Sequence, residues 1–167
     1  MEDLKKFEIL IVEDEKELCA ALKQVLSKNH RCCVDTAFSV DQAFAAIDQK
    51  EYALILCDYK LGEERDGLDI LFHAKAKNPH IITILMTGYG TATLATRAVA
   101  EGVYDYITKP FKSIMDVRNV VDRGLNYYSL LIRYNKKVKD ATIQKELLKE
   151  TLLKVKRTEE ILDSLTE

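Results

Sequence analysis

The sequence contains no tryptophan, two prolines and six glycines among 167 residues. So little proline and glycine excludes collagenous and low-complexity chains, which are built from those residues. Long apolar runs are also missing. Phe7–Val12 is the N-terminal one, interrupted by Glu8, and it is too short for a signal peptide or a membrane span. A strong charge of either sign is lacking too: the formal net charge is -2, which removes the simplest argument for nucleic-acid binding. The four cysteines, Cys19, Cys32, Cys33 and Cys57, show no CxxC spacing and form no Cys/His pattern of the zinc type. Cys32 and Cys33, adjacent in an apparent strand, would point to opposite faces. Reduced thiols and a cytoplasmic location are the expectation.

What is present suits a soluble globular protein: 47% hydrophobic and 31% charged residues, in a length that allows one domain and an appendage. Short apolar runs alternate with amphipathic stretches. Phe7–Val12, Cys32–Ala37, Leu54–Cys57, Ile81–Met86 and Tyr104–Ile107 read as strands. Helical spacing follows in Glu17–Leu26 and in the stretch after Ser39, where Ser39 and Gln42 form a capping-box pattern and Ala43, Ala46 and Ile47 carry the apolar face. Gly67–Ala76 has helical spacing through Leu68, Leu71, Phe72 and Ala76. Ala92–Ala100 ends at Gly102, in the position of a C-terminal cap. Five strand–helix units in series predict a doubly wound α/β fold with a parallel sheet, right-handed crossovers and strand order 2-1-3-4-5. Its ligand crevice would lie at the carboxyl ends of the first and third strands. After Pro110 no proline and one glycine, Gly124, occur, so a single helix is predicted from about Ile114 to near Ser164.

Acidic residues fall at that crevice. Glu13 and Asp14 follow the first strand, and Asp58 ends the third. Crowded carboxylates repel unless a cation neutralises them or their pKa values rise, and a set of hard oxygen donors suits Mg²⁺. Taken alone, the three acids are as readily a solvated rim. The fourth strand ends on Thr87, a hydroxyl donor, and the fifth is followed by Lys109, a point positive charge. A phosphoryl group at Asp58 would have metal on one side, hydroxyl and ammonium on the other, the charge stabilisation on which phosphoryl transfer depends. An aspartate can be the nucleophile, forming an acyl phosphate.

The segments Val12-Glu13-Asp14-Glu15, Leu56-Cys57-Asp58-Tyr59, Met86-Thr87-Gly88-Tyr89-Gly90 and Gly102 to Phe111 carry a family resemblance. In order and placement they resemble the receiver domain of two-component response regulators, of the nitrogen-control type, over about residues 7–124. The resemblance implies a flavodoxin-like (βα)5 receiver over residues 1–124. It implies that Asp58 accepts a phosphoryl group from a sensor histidine kinase or a histidine phosphotransfer protein, without turnover of an external substrate. Asp14 and Asp58 would bind Mg²⁺ directly, Glu13 through a metal-bound water, and the Lys60 carbonyl would complete the protein ligands. Thr87 and Lys109 would hold phosphoryl oxygens, and Tyr106 would be the aromatic switch that turns inward as Thr87 moves. The Lys109–Pro110 bond would be cis. No organic cofactor is implied.

Two departures stand out. Glu13 replaces the commoner aspartate, and the Lys60–Gly67 loop lacks the usual proline and is about one residue longer. Lys60 and Tyr89 could overhang the phosphoryl site and hinder attack by water, which would lengthen the life of the acyl phosphate. Residues 125–167 form the extension. Heptads place Leu131, Val138 and Leu152 at a, and Tyr134, Ala141, Leu148, Val155 and Leu162 at d, with Lys145 and Glu159 also at a. A parallel homodimeric coiled coil is the preferred reading; a helix folding onto the receiver or onto another domain is the alternative. Phosphatases with an aspartyl nucleophile carry a second aspartate two residues on, where this chain has Lys60. A flavin site would need a Ser/Thr/Gly-rich loop where Glu13-Asp14-Glu15 stands. A degenerate receiver acting as a coiled-coil adaptor would not need the full set of reactive residues.

Overall fold

The computed structural model describes residues 6–62, 64–88 and 92–166. Within them ten elements alternate strictly: β1 Phe7–Val12, α1 Lys16–Ser27, β2 Cys32–Ala37, α2 Val40–Gln49, β3 Leu54–Asp58, α3 Gly67–Lys77, β4 Ile82–Thr87, α4 Ala92–Ala100, β5 Asp105–Thr108 and α5 Ile114–Thr166. Every strand pairing is parallel, and the order is β2-β1-β3-β4-β5, as the alternation of apolar runs and amphipathic stretches predicts. The central strands are apolar on both faces because helices cover both: Ile9 to Val12 and Leu54 to Cys57 are fully buried. The edge strands are only partly buried, with Tyr106 of β5 46% exposed.

Helices meet the sheet through narrow stripes. Cys19, Leu22 and Leu26 of α1 and Val40, Ala43 and Ile47 of α2 are buried at helical spacing. The Ser39 hydroxyl caps α2 by accepting from the Gln42 N–H, while Gln42 Oε1 accepts from the Phe38 N–H at 2.9 Å. In α3 the buried face is Leu68, Ile70, Leu71 and Ala74, whereas Phe72 is 53% exposed. The expected stripe through Phe72 and Ala76 is therefore rotated. Ile70 and Ala74 lie on the side that meets the sheet, and Phe72 lies well round the helix from it. β4 begins one residue later than expected because the Ile81 N–H closes a turn onto the Asn78 carbonyl at 3.1 Å. Gly102, at φ 72°, ends α4.

The chain divides into two compact units, Met1–Ser129 and Leu130–Glu167. In the first, α5 buries Val117, Val121 and Leu125, spaced one turn apart. Gly124 permits this close seat, since a Cβ there would lie 2.9 Å from Ile82 Cγ2. Packing continues through Tyr127, stacked on Tyr104 at 5.5 Å, and Tyr128, edge-on to Phe7 at 6.3 Å. The second unit is helical over residues 130–166, and its large apolar side chains, among them Val138, Leu148, Leu152 and Leu162, are exposed.

The start of α3 is set against the end of β3. A Cβ on Gly67 would lie 2.2 Å from the Asp58 carbonyl oxygen, a backbone atom held in the sheet. Gly67→Ala gains about 1 kcal/mol of helix propensity but forces this contact apart, at a cost of about 1–3 kcal/mol or more. Urea denaturation should show a net loss of stability. A variant as stable as wild type would contradict this packing.

Candidate functional site

The carboxyl ends of the strands bring the polar residues together. β1 runs out at Val12, and its next residue, Glu13, is 1% exposed. The backbone turns there, with the Glu15 N–H donating to Glu13 Oε1 at 3.1 Å. Asp58 ends β3 and is buried, while Asp14 is exposed. One carboxylate oxygen from each of Glu13, Asp14 and Asp58 lies within 4.8 Å of the others. Lys109 follows β5, and its ammonium donates to Glu13 Oε2 at 2.8 Å and to Asp58 Oδ2 at 3.1 Å. The Lys109–Pro110 peptide is cis.

Burial dominates the electrostatics of this cluster. It pushes the Asp58 carboxyl above its ordinary range, and the Asp14 charge adds to that push. The Lys109 ammonium and the Lys60 N–H oppose it without prevailing. Glu13 is raised in the same way, by burial first and by Asp58 second among the raising causes. Lys109 is pulled down by burial, yet Glu13 and Asp58 together outweigh that and hold it above its ordinary value. The site thus holds more negative charge than its lysine neutralises. Hard oxygen donors in this setting fit a divalent cation such as Mg²⁺.

Thr87 ends β4 and is buried; its carbonyl accepts from the Lys109 N–H at 2.7 Å. One residue earlier, the Met86 carbonyl accepts from the Tyr59 N–H at 2.7 Å, so the ends of β3 and β4 are held side by side. Lys60 is exposed, two residues beyond Asp58. Gly62 arches back, and a Cβ on it would lie 3.7 Å from Asp14 Oδ2. Tyr106 stands on β5 with its side chain outward. Tyr89 lies outside the described residues.

Three features went unread in the sequence. The Glu13–Lys109 bond joins residues 96 positions apart, which no local pattern reveals. Cys57, fully buried, donates its thiol to the Asp58 carbonyl at 3.3 Å. Asp66 caps α3 in a capping box with Asp69; the Asp-x-x-Asp spacing before an apolar run was the available signal.

The response regulator receiver domain family matches residues 9–121. The chain belongs to this family. The transcriptional regulatory protein ZraR of Salmonella typhimurium is 35% identical over 105 residues, 63% of this chain and 23% of that protein. The nitrogen assimilation regulatory protein NtrX of Azorhizobium caulinodans is 33% identical over 107 residues, 64% of this chain and 23% of that one. The receiver thus spans about a quarter of the length of these curated relatives. Among solved structures, the receiver domain of NtrX from Brucella abortus superposes with a TM-score of 0.63 at 33% identity, covering 71% of this chain and 98% of that one. A CheY-like receiver from Methanospirillum hungatei gives 0.68 at 26% identity, covering 74% and 97%. The family match makes the chain a response regulator receiver. No helix among its described residues is long and apolar enough to cross a membrane.

Because the folded state raises the Asp58 carboxyl, it binds more protons than the unfolded state in the window just above the ordinary carboxylate value. Stability from this group is then greatest at low pH and falls as pH rises through the raised value. In EDTA, Asp58→Asn should gain stability relative to wild type across that window and hold a constant difference above it. Urea titrations at several pH values would read this. A variant that loses ground as pH rises would contradict the charge balance described.

Proposed function

We propose that the receiver accepts a phosphoryl group on Asp58 from a histidine kinase or a histidine phosphotransfer protein, in a Mg²⁺-dependent step. The observation that carries this reading is the Lys109 ammonium shared between Asp58 and Glu13 beside a third carboxylate. Glu13, Asp14, Asp58 and the Lys60 carbonyl would hold the metal. When bound, Mg²⁺ offsets the negative charge that gathers as one anion approaches another.

An Asp58 oxygen attacks the phosphorus of a phosphohistidine, the P–N bond breaks, and its electron pair returns to the imidazole. Lys109 is already within hydrogen-bond distance of the acceptor carboxylate, so its charge needs no large rearrangement to meet the incoming oxygens. Thr87 supplies a hydroxyl from the adjoining strand end. Drawing Thr87 toward the phosphoryl group frees space for Tyr106, whose outward side chain then turns in. Lys60 and Tyr89 lengthen the life of the acyl phosphate by hindering water. The receiver turns over no external substrate and works in the cytoplasm.

The output passes along α5. Residues 125–167 act as a helical extension whose seam through Val138, Ala141, Leu148, Leu152, Val155 and Leu162 pairs with a second copy, in parallel. The exposure of these side chains in the single chain supports a partner for them. Phosphorylation biases the Tyr106 face between two arrangements and so alters that pairing.

Incubation with Mg²⁺ and acetyl phosphate, followed by intact mass, should show uptake of one phosphoryl group. Asp58→Asn and Asp14→Ala should abolish it. Uptake that survives Asp58→Asn would overturn the assignment. Sedimentation of the wild-type chain with and without beryllofluoride should show a change in self-association, and identical profiles would remove the coil from the output.

A further inference from the structure

Away from the phosphoryl site, a chain of polar side chains joins α3 to α4. Asp66 lies at the end of the loop that leaves Asp58, and its Oδ1 caps α3 by accepting from the Leu68 and Asp69 N–H groups at 2.9 and 3.4 Å. The Gly67 N–H donates to the Tyr59 carbonyl at 2.8 Å, which closes the loop on itself just beyond Asp66. From α4, Arg97 reaches Asp66 Oδ2 with Nη1 at 3.5 Å, while its Nε donates to Glu101 Oε1 at 3.0 Å. Among the described side chains of α4 only Leu94 and Ala98 are buried, so a polar tether weighs more here than on a helix with a broad apolar face.

The same helix is bound to the site by its covalent connection. Thr87 ends β4, and only four residues separate it from Ala92 at the start of α4. α4 is thus linked to both sides of the site, through Thr87 and through the loop that follows Asp58. We propose that the Asp66–Arg97 ion pair is a latch that holds α4 against the loop after Asp58 in the resting arrangement. Arg97 is then a positioning residue that sets how readily the site adopts its phosphoryl-bound form. The outward Tyr106, 46% exposed, marks the arrangement in which the pair is made. An interaction present in one of two states favours that state, and by linkage it weakens any ligand that prefers the other. This inference rests on the phosphoryl-acceptance reading of Asp58.

The test is a beryllofluoride titration of the full chain in saturating Mg²⁺, followed by NMR of the Thr87 and Tyr106 amides. Arg97→Gln should bind beryllofluoride about two- to fivefold more tightly, the range of a partly exposed ion pair. Arg97→Lys should stay near wild type. Asp66→Asn, which keeps a side chain that caps helices well, should tighten binding similarly, and Arg97→Gln added to it should bring no further gain. General damage to the fold would weaken binding, so a gain in affinity separates the latch from a merely structural role. Unchanged or weaker binding in Arg97→Gln, or an undiminished gain on the Asp66→Asn background, would overturn the latch. A wild-type chain that binds no beryllofluoride would overturn the Asp58 reading, and the latch with it.

Discussion

One ammonium group shared between two buried carboxylates is the interaction on which the site depends. Lys109 bonds both Glu13 and Asp58, and neither acid is brought down to its ordinary pKa by it, because burial outweighs the pairing. A buried cluster with unbalanced charge is costly to fold. The cost is offset by a sheet in which Ile9 to Val12 and Leu54 to Cys57 are fully buried. The same imbalance would favour a divalent cation at the cluster. A site already neutral would gain little from one.

The fold explains why these residues meet. Parallel strands all point their carboxyl ends to one edge, so each residue following a strand arrives at the same rim. Glu13 and Asp14 come from β1, Asp58 from β3, Thr87 from β4 and Lys109 from just beyond β5. The loops at this rim are closely fitted: Gly67 lies against the Asp58 carbonyl and Gly62 close to Asp14. Asp66 then gathers the loop, the start of α3 and a side chain of α4 at one carboxylate. The end of the loop that leaves Asp58 is in this way joined to α4 through one carboxylate.

How much of this could be read in the sequence follows from the range of each interaction. Strand order was legible because five apolar runs alternate with amphipathic stretches, and only a few arrangements accommodate that. The gathering of Glu13, Asp14, Asp58 and Lys109 at one edge followed from their positions at strand ends. Phe72 was misplaced because apolar character names a candidate for the core, whereas the angle at which α3 meets the sheet selects Ile70 and Ala74. The Asp66–Arg97 and Glu13–Lys109 pairs were out of reach, since each joins residues distant in sequence through rotamers that only the packed structure sets. Gly67 gave no signal beyond its presence, because its necessity lies in a backbone oxygen nine residues away.

Lys109 and a divalent cation would answer the same excess of negative charge. Calorimetric titration of Mg²⁺ into wild type and into Lys109→Met tests it most directly. Removing the competing ammonium should tighten Mg²⁺ binding, even though the variant loses a group that would hold the phosphoryl oxygens. Equal or weaker Mg²⁺ binding in Lys109→Met would contradict the account.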